Sequence, residues 1–138
     1  MNRQDLQRLS QLRARDAKLL LDAGNFAGSY YLMGYAVECA VKSAIAKRTK
    51  RHDFPNKQLA LDSYKHNPKS LLQTAELWLK LEAEMSHNQQ LSFNWAVVKD
   101  WTEESRYIAS TSEAQARDLY SACTARTHGL LSWLKNYW

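Results

Sequence analysis

NFAGSYYLMGYAVECAVKSAIAKRTKR, residues 25–51, contains no proline, is apolar and Ala-rich from Phe26 to Ala46, and then turns abruptly into the basic run Lys47, Arg48, Lys50 and Arg51. Phe26, Tyr30, Met33, Val37, Val41 and Ile45 recur every three or four residues and so share one helical face. Gly34, Ala36, Ala40, Ser43, Ala44 and Ala46 are small enough for a second backbone to come close. The stretch therefore reads as a helix covered on most sides by other helices. Glu38 stands inside it. Desolvating a carboxylate there is expensive unless a cation or donors meet it, and Lys42, one turn on, is placed to pair with it.

Upstream, residues 3–23 set Leu6, Leu9, Leu12, Leu19, Leu20 and Ala23 among charged residues at helical spacing. Gly24-Asn25 is the break between the two helices, with Asn25 a cap candidate, and so tight a connection makes them antiparallel. Downstream, residues 52–67 are irregular, with Leu59 to Leu61 as a turn or anchor. Asn67-Pro68 is a cap followed by proline at the first helical position. A third helix is expected from Lys69 to about Met85, carrying Leu71, Leu72, Ala75, Trp78, Leu79 and Glu82. Phe93, Trp95, Val97, Val98, Trp101 and Tyr107 make an aromatic segment that is helical in part and interrupted near Thr102. Ser112 with Gln115 is a capping-box pattern. It opens a last helix from Glu113 to about Asn136, with Ala116, Leu119, Tyr120, Cys123, Thr127, Leu130, Leu134 and Tyr137 inward. The expectation is an all-α, up-and-down bundle of four main helices plus a short aromatic-rich one, in a single domain spanning 1–138.

Composition agrees. Apolar residues make up 45%, which argues against disorder, and four glycines and two prolines are too few for a small all-β fold. The net charge of +5 is uneven: residues 1–51 carry ten basic and four acidic side chains, and 52–138 carry nine and ten. A basic half suits nucleic acid, nucleotide phosphate or an acidic protein, and it equally suits plain solvation of the first two helices. Cys39 and Cys123 fall on apolar helical positions and read as core thiols of a cytoplasmic protein. The polar start is no signal peptide, and Glu38 and Lys42 interrupt the one long apolar run, so no membrane span is expected.

His52, His66, His87 and His128 make no metal-binding pattern with one another or with a cysteine, and no phosphate-binding glycine loop or nucleophile elbow occurs, so neither a metal nor a cofactor is expected. Phosphate or RNA binding is the chemistry better served. Lys47, Arg48, Lys50, Arg51 and His52 supply charge, Lys65 and His66 stand across the loop, and Arg106-Tyr107 pairs a guanidinium with an aromatic that can clamp a base. The competing reading makes Arg106 a structural cation for Glu38, with Tyr107 packed beside it. His128 reads as a packing residue on the last helix.

Leu19-Leu20, Gly24, Ala27, Tyr35-Ala36, Glu38 and Lys42 together resemble the opening two helices of HEPN domains, the higher eukaryotes and prokaryotes nucleotide-binding family. The likeness continues through His66 with Leu71-Leu72, Trp101 with Ser105-Arg106-Tyr107, and Glu113-Ala114. It implies a small helical bundle that homodimerises and serves RNA metabolism, toxin–antitoxin pairs or phage defence, often beside a nucleotidyltransferase-like partner. Catalytic members are metal-independent ribonucleases whose arginine is separated from a histidine by four to six residues. Here Arg48 has three residues before His52, Arg117 has ten before His128, and Arg126 stands two before His128. The resemblance therefore implies a non-catalytic module binding RNA, a nucleotide or a protein partner. The alternatives are an endoribonuclease with a displaced site drawn from His66, Arg106 and His128, and a purely structural adaptor.

Overall fold

The structure, a computed structural model, describes residues 1–49, 54 and 56–138. Lys50, Arg51 and His52 of the basic run lie outside the described residues. Among the described residues the chain is all-α, with eight α-helices, one 3₁₀ helix and no strand. Its two long helices are α1 (Arg3–Asp22) and α2 (Phe26–Arg48). They are antiparallel, and three serines record the register. Ser10 Oγ donates to the Ala36 carbonyl at 2.7 Å, Ser29 Oγ to Ala17 at 2.8 Å and Ser43 Oγ to Arg3 at 3.5 Å. As the position climbs along one helix, its partner descends the other in step. Buried ties of this kind contribute about 1 kcal/mol each and fix the sliding of one helix on the other.

Gly24 makes the turn between them, in the left-handed region at φ 81° that favours glycine. Asn25 occupies the cap position of α2 without a side-chain hydrogen bond to the helix, so the cap expected there is positional only. Met33, Val37, Val41 and Ile45 are all buried, and α2 packs against α1 and against most of the later elements. It is the axis of the fold.

The later part breaks more often than its periodicity suggests. α3 (Lys57–Ser63) comes first, the expected third helix is two pieces, α4 (Pro68–Thr74) and α5 (Trp78–Met85), and α6 (Gln89–Val98) follows. Asn67 does cap α4, accepting from the Ser70 amide at 3.0 Å. The break between α4 and α5 falls at Glu76, which adopts φ 57°. Arg48 holds that corner: Nη1 donates to the Thr74 carbonyl at 2.7 Å and Nη2 meets Glu76 Oε1 at 2.6 Å. Reorienting α5 puts Leu79 in solvent and Leu81 in the core, which corrects the inward place expected for Leu79.

The aromatic segment continues into a 3₁₀ helix (Glu103–Tyr107) beyond Trp101. The Ser112–Gln115 capping box opens α7 (Glu113–Thr124) as expected. That helix stops early, and the chain turns before α8 (Leu130–Leu134). A side chain at Gly129 would press on the Ala125 and Cys123 carbonyls, so the turn as it stands accepts only glycine at that position. Thr127 is consequently exposed, while Leu130 and Leu134 still reach the core.

Both thiols are buried. Burial, and then the nearby Glu38 carboxylate, push the Cys39 thiol from 9.0 up to about 11, and burial pushes Cys123 up as well. Raised thiols add stability that is whole below the unfolded value and is lost as pH climbs through the folded one. We expect the unfolding free energy to fall between pH 9.0 and about 11 in denaturant titrations run at stepped pH. Neither cysteine should react with Ellman's reagent in the native protein at about pH 8, and both should react once it is unfolded.

Candidate functional site

Spacing along α2 sets Tyr31, Tyr35, Glu38 and Lys42 on one stripe, each about one turn beyond the last. Glu38 is only 4% exposed. Its Oε1 accepts from Lys42 Nζ at 2.7 Å, the local pair expected, and meets His66 Nδ1 at 2.9 Å. His66 arrives just ahead of the Asn67 cap of α4, so the helix start that the cap enforces also sets the imidazole against α2. The other ring nitrogen, Nε2, faces Glu103 Oε2 at 3.1 Å. Lys42, Glu38, His66 and Glu103 thus form one chain of polar contacts that ties the 3₁₀ helix to the centre of the bundle.

That chain answers what Arg106 does. The Glu38 carboxylate is occupied by Lys42 and His66, so the structural pairing of Arg106 with Glu38 is not what is found. Arg106 instead lies on the exposed side of the 3₁₀ helix, its guanidinium 4.9 Å from the centre of the Tyr107 ring. Its pKa is held above the ordinary value, first by the Tyr107 phenol beside it and then by Glu103 and Tyr31. Tyr107 is 73% exposed. Behind the pair, Tyr31 lies parallel to Tyr35, ring centres 6.3 Å apart at 5°, and 6.1 Å from Trp101 at 24°. Trp101 is buried over Gly34, whose missing side chain lets the indole lie against the α2 backbone. An exposed guanidinium–phenol pair, backed by a stacked aromatic row and anchored through His66, therefore runs along one edge of α2.

Lys47, Arg48 and His128 are not brought to this edge, and Lys65 stands beside His66 at a cleft of its own. Lys47 and Arg48 border a different cleft of about 310 Å³ with Glu76, Leu77, Lys80 and Tyr137. Arg48 is engaged there by Thr74 and Glu76, as described above. Lys65 pairs with Asp62 at 3.1 Å, and Lys65 and His66 border a cleft of about 360 Å³ with Ser70, Glu103 and Glu104. His128 lies elsewhere again. Asn88 caps α6 with its Oδ1, accepting from Leu91 at 3.1 Å, so its Nδ2 is the donor toward His128 Nδ1 at 3.0 Å. Nδ1 therefore accepts, and the ring proton sits on Nε2. Asn94 adds a 2.8 Å bond to the His128 carbonyl. His66, Arg106 and His128 do not converge within one chain.

Sequence reasoning missed Glu103 and Tyr31. Nothing local marks Glu103 as the partner of a distant histidine. Tyr31 was visible, as the residue one turn before Tyr35, but it falls outside the Met33–Val37 core row. Among the described residues, no group of three His, Cys, Asp or Glu side chains is arranged to hold a metal ion, and no helix is long and apolar enough to cross a membrane. No family model matches the chain, and no curated protein or solved structure matches it either.

Proposed function

We propose that this chain is a non-catalytic, HEPN-like homodimeric module that binds single-stranded RNA or a nucleotide along the α2 edge. The observation that carries the reading is the exposed Arg106 guanidinium against the exposed Tyr107 ring. A cation and a π-face side by side take a base by stacking and a backbone phosphate by charge, without requiring a particular base. The basic N-terminal portion of the chain supplies the wider attraction. A protein partner at the same edge is the competing occupant.

A displaced ribonuclease site draws less support. Both nitrogens of His66 face carboxylates and Nδ1 of His128 is taken by Asn88, which leaves neither ring poised beside a cation over a 2′-hydroxyl. RNA incubated with the purified chain should stay intact with or without EDTA.

The test is fluorescence anisotropy with a labelled single-stranded oligoribonucleotide at low salt. Binding should weaken as salt rises, and Tyr107→Ala should raise Kd roughly tenfold, the scale of one lost stacking contact. Arg106→Ala should weaken binding and flatten the salt dependence. Absence of binding at low salt, or an unchanged Kd in both variants, would turn the edge over to a protein partner.

A further inference from the structure

The buried side of the same 3₁₀ helix faces a second recess. It measures about 340 Å³, and its polar lining comes from Tyr30, Asp100, Thr102, Ser105, Thr111 and Gln115, joined by Ile108 and Ser110. A single water needs only about 10–15 Å³ of such space, and small-ligand pockets begin near 300 Å³. Its lining includes Ser105, only 5% exposed, whose Oγ is shielded from solvent and has no hydrogen-bond partner among the described residues. Folded proteins seldom leave a buried hydroxyl in that condition.

The lining dictates what would complete it. Asp100 is the one acidic residue in its lining, and no Lys, Arg or His lines it, so a phosphate or carboxylate ligand would find no cation there to offset its charge. Burial, and then Asp100, raise the pKa of the Tyr30 phenol, which therefore stays a hydroxyl and can donate. Gln115 Oε1 is taken by the Ser112 amide at 3.0 Å and the Ser112 hydroxyl at 3.3 Å, which leaves the Gln115 amide nitrogen as a donor. The recess thus offers a carboxylate acceptor, a phenol and an amide as donors, and, on rotation about the Ser105 Cα–Cβ bond, an unpaired serine hydroxyl that can do either. An ammonium ion would suit Asp100 but has no lone pair for the donors. Adjacent hydroxyl groups suit both, each giving a proton to the carboxylate and accepting one from Tyr30, Gln115 or Ser105.

We infer that this recess binds an uncharged vicinal diol, held by Asp100 and closed over the orphaned Ser105 hydroxyl. A ribose within a nucleoside and a free sugar share that chemistry. The assignment stands apart from the RNA reading, because neither Arg106 nor Tyr107 lines the recess.

Proton–nitrogen correlation spectra of the full chain, titrated separately with uridine, 2′-deoxyuridine, free ribose and methylamine, test it. Uridine or ribose should move the Thr102, Ser105 and Thr111 amides in a saturable way. Uridine alone would assign the nucleoside as the source, and ribose alone the free sugar. Deoxyuridine should bind about tenfold more weakly or worse, since a site built around a hydroxyl rejects the analogue without it. Methylamine should leave these amides still. Asp100→Asn, at an exposed position, should abolish the shifts while the rest of the spectrum is retained, and Ser105→Ala should weaken them. No saturable shift with either diol, equal binding of deoxyuridine, saturation by methylamine, or undiminished binding by Asp100→Asn would overturn the assignment.

Discussion

Gly34→Ala is expected to destabilise the protein by about 3 kcal/mol, at the upper end of what one added methyl in a full core costs. For a chain of this size, that lowers the melting temperature by about 10 °C. The cause is local. A Cβ at Gly34 would overlap the Trp101 indole at Cδ2, Cε2 and Nε1, and Trp101 is 1% exposed, so the ring has nowhere to retreat. Shrinking the partner should recover part of the loss. Trp101→Leu alone opens a cavity and is destabilising, but the double variant Gly34→Ala/Trp101→Leu should be more stable than the sum of the two single costs implies, because the overlap is gone. Urea denaturation of the three variants measures the coupling. A Gly34→Ala protein within about 0.5 kcal/mol of the parent would mean that the indole is not seated on α2.

Glu38→Ala is expected to cost about 3 kcal/mol, because it strands Lys42 in a partly covered position and cuts the contact by which His66 links α2 to Glu103. Glu38→Gln should cost less, since both contacts fall on Oε1 and an amide oxygen there can still accept, with only the charge lost. A second consequence separates this contact from ordinary packing. The 3₁₀ helix carries Arg106 and Tyr107 and is tied down through Glu103, so RNA affinity should fall with the tie even though Glu38 touches no ligand. His66→Ala should show the same pairing of effects in milder form, its side chain being 43% exposed. Denaturant midpoints and anisotropy titrations on the same preparations check both. Loss of stability without loss of affinity would detach the edge from this anchor.

The helical hairpin was legible because every local signal agreed. Gly24 broke the pattern, the Met33–Val37–Val41–Ile45 row had one period, and no proline intervened. The Glu38–Lys42 pair and the two caps at Asn67 and Ser112 were legible for the same reason, since each involves residues within one turn. What stayed hidden depends on contacts across the chain. The apolar spacing from Leu71 to Glu82 runs through a corner that Arg48 and Glu76 create from opposite ends, and periodicity has no term for such a corner. Likewise the pattern from Glu113 to Asn136 hides the stop before Gly129, where the chain packs so closely on the Ala125 and Cys123 carbonyls that no Cβ fits. The site divides in the same way. Arg106-Tyr107 announced itself as an adjacent pair, whereas the choice between Glu38 and Tyr107 as its neighbour depended on where His66 lands after a loop. The cations of the Lys47–Arg48 turn read as ligand-binding by charge alone. In the fold Arg48 serves the α4–α5 corner.

The account rests on the α2 edge as the surface that meets RNA. Photocrosslinking of a 4-thiouridine-substituted single strand, followed by peptide mass spectrometry, measures this contact directly. Adducts are expected on Tyr107 and Tyr31, and they should be lost when Arg106 is replaced by alanine. Adducts confined to the peptides around Lys47 and Arg48, or spread evenly over the basic first helix, would contradict it.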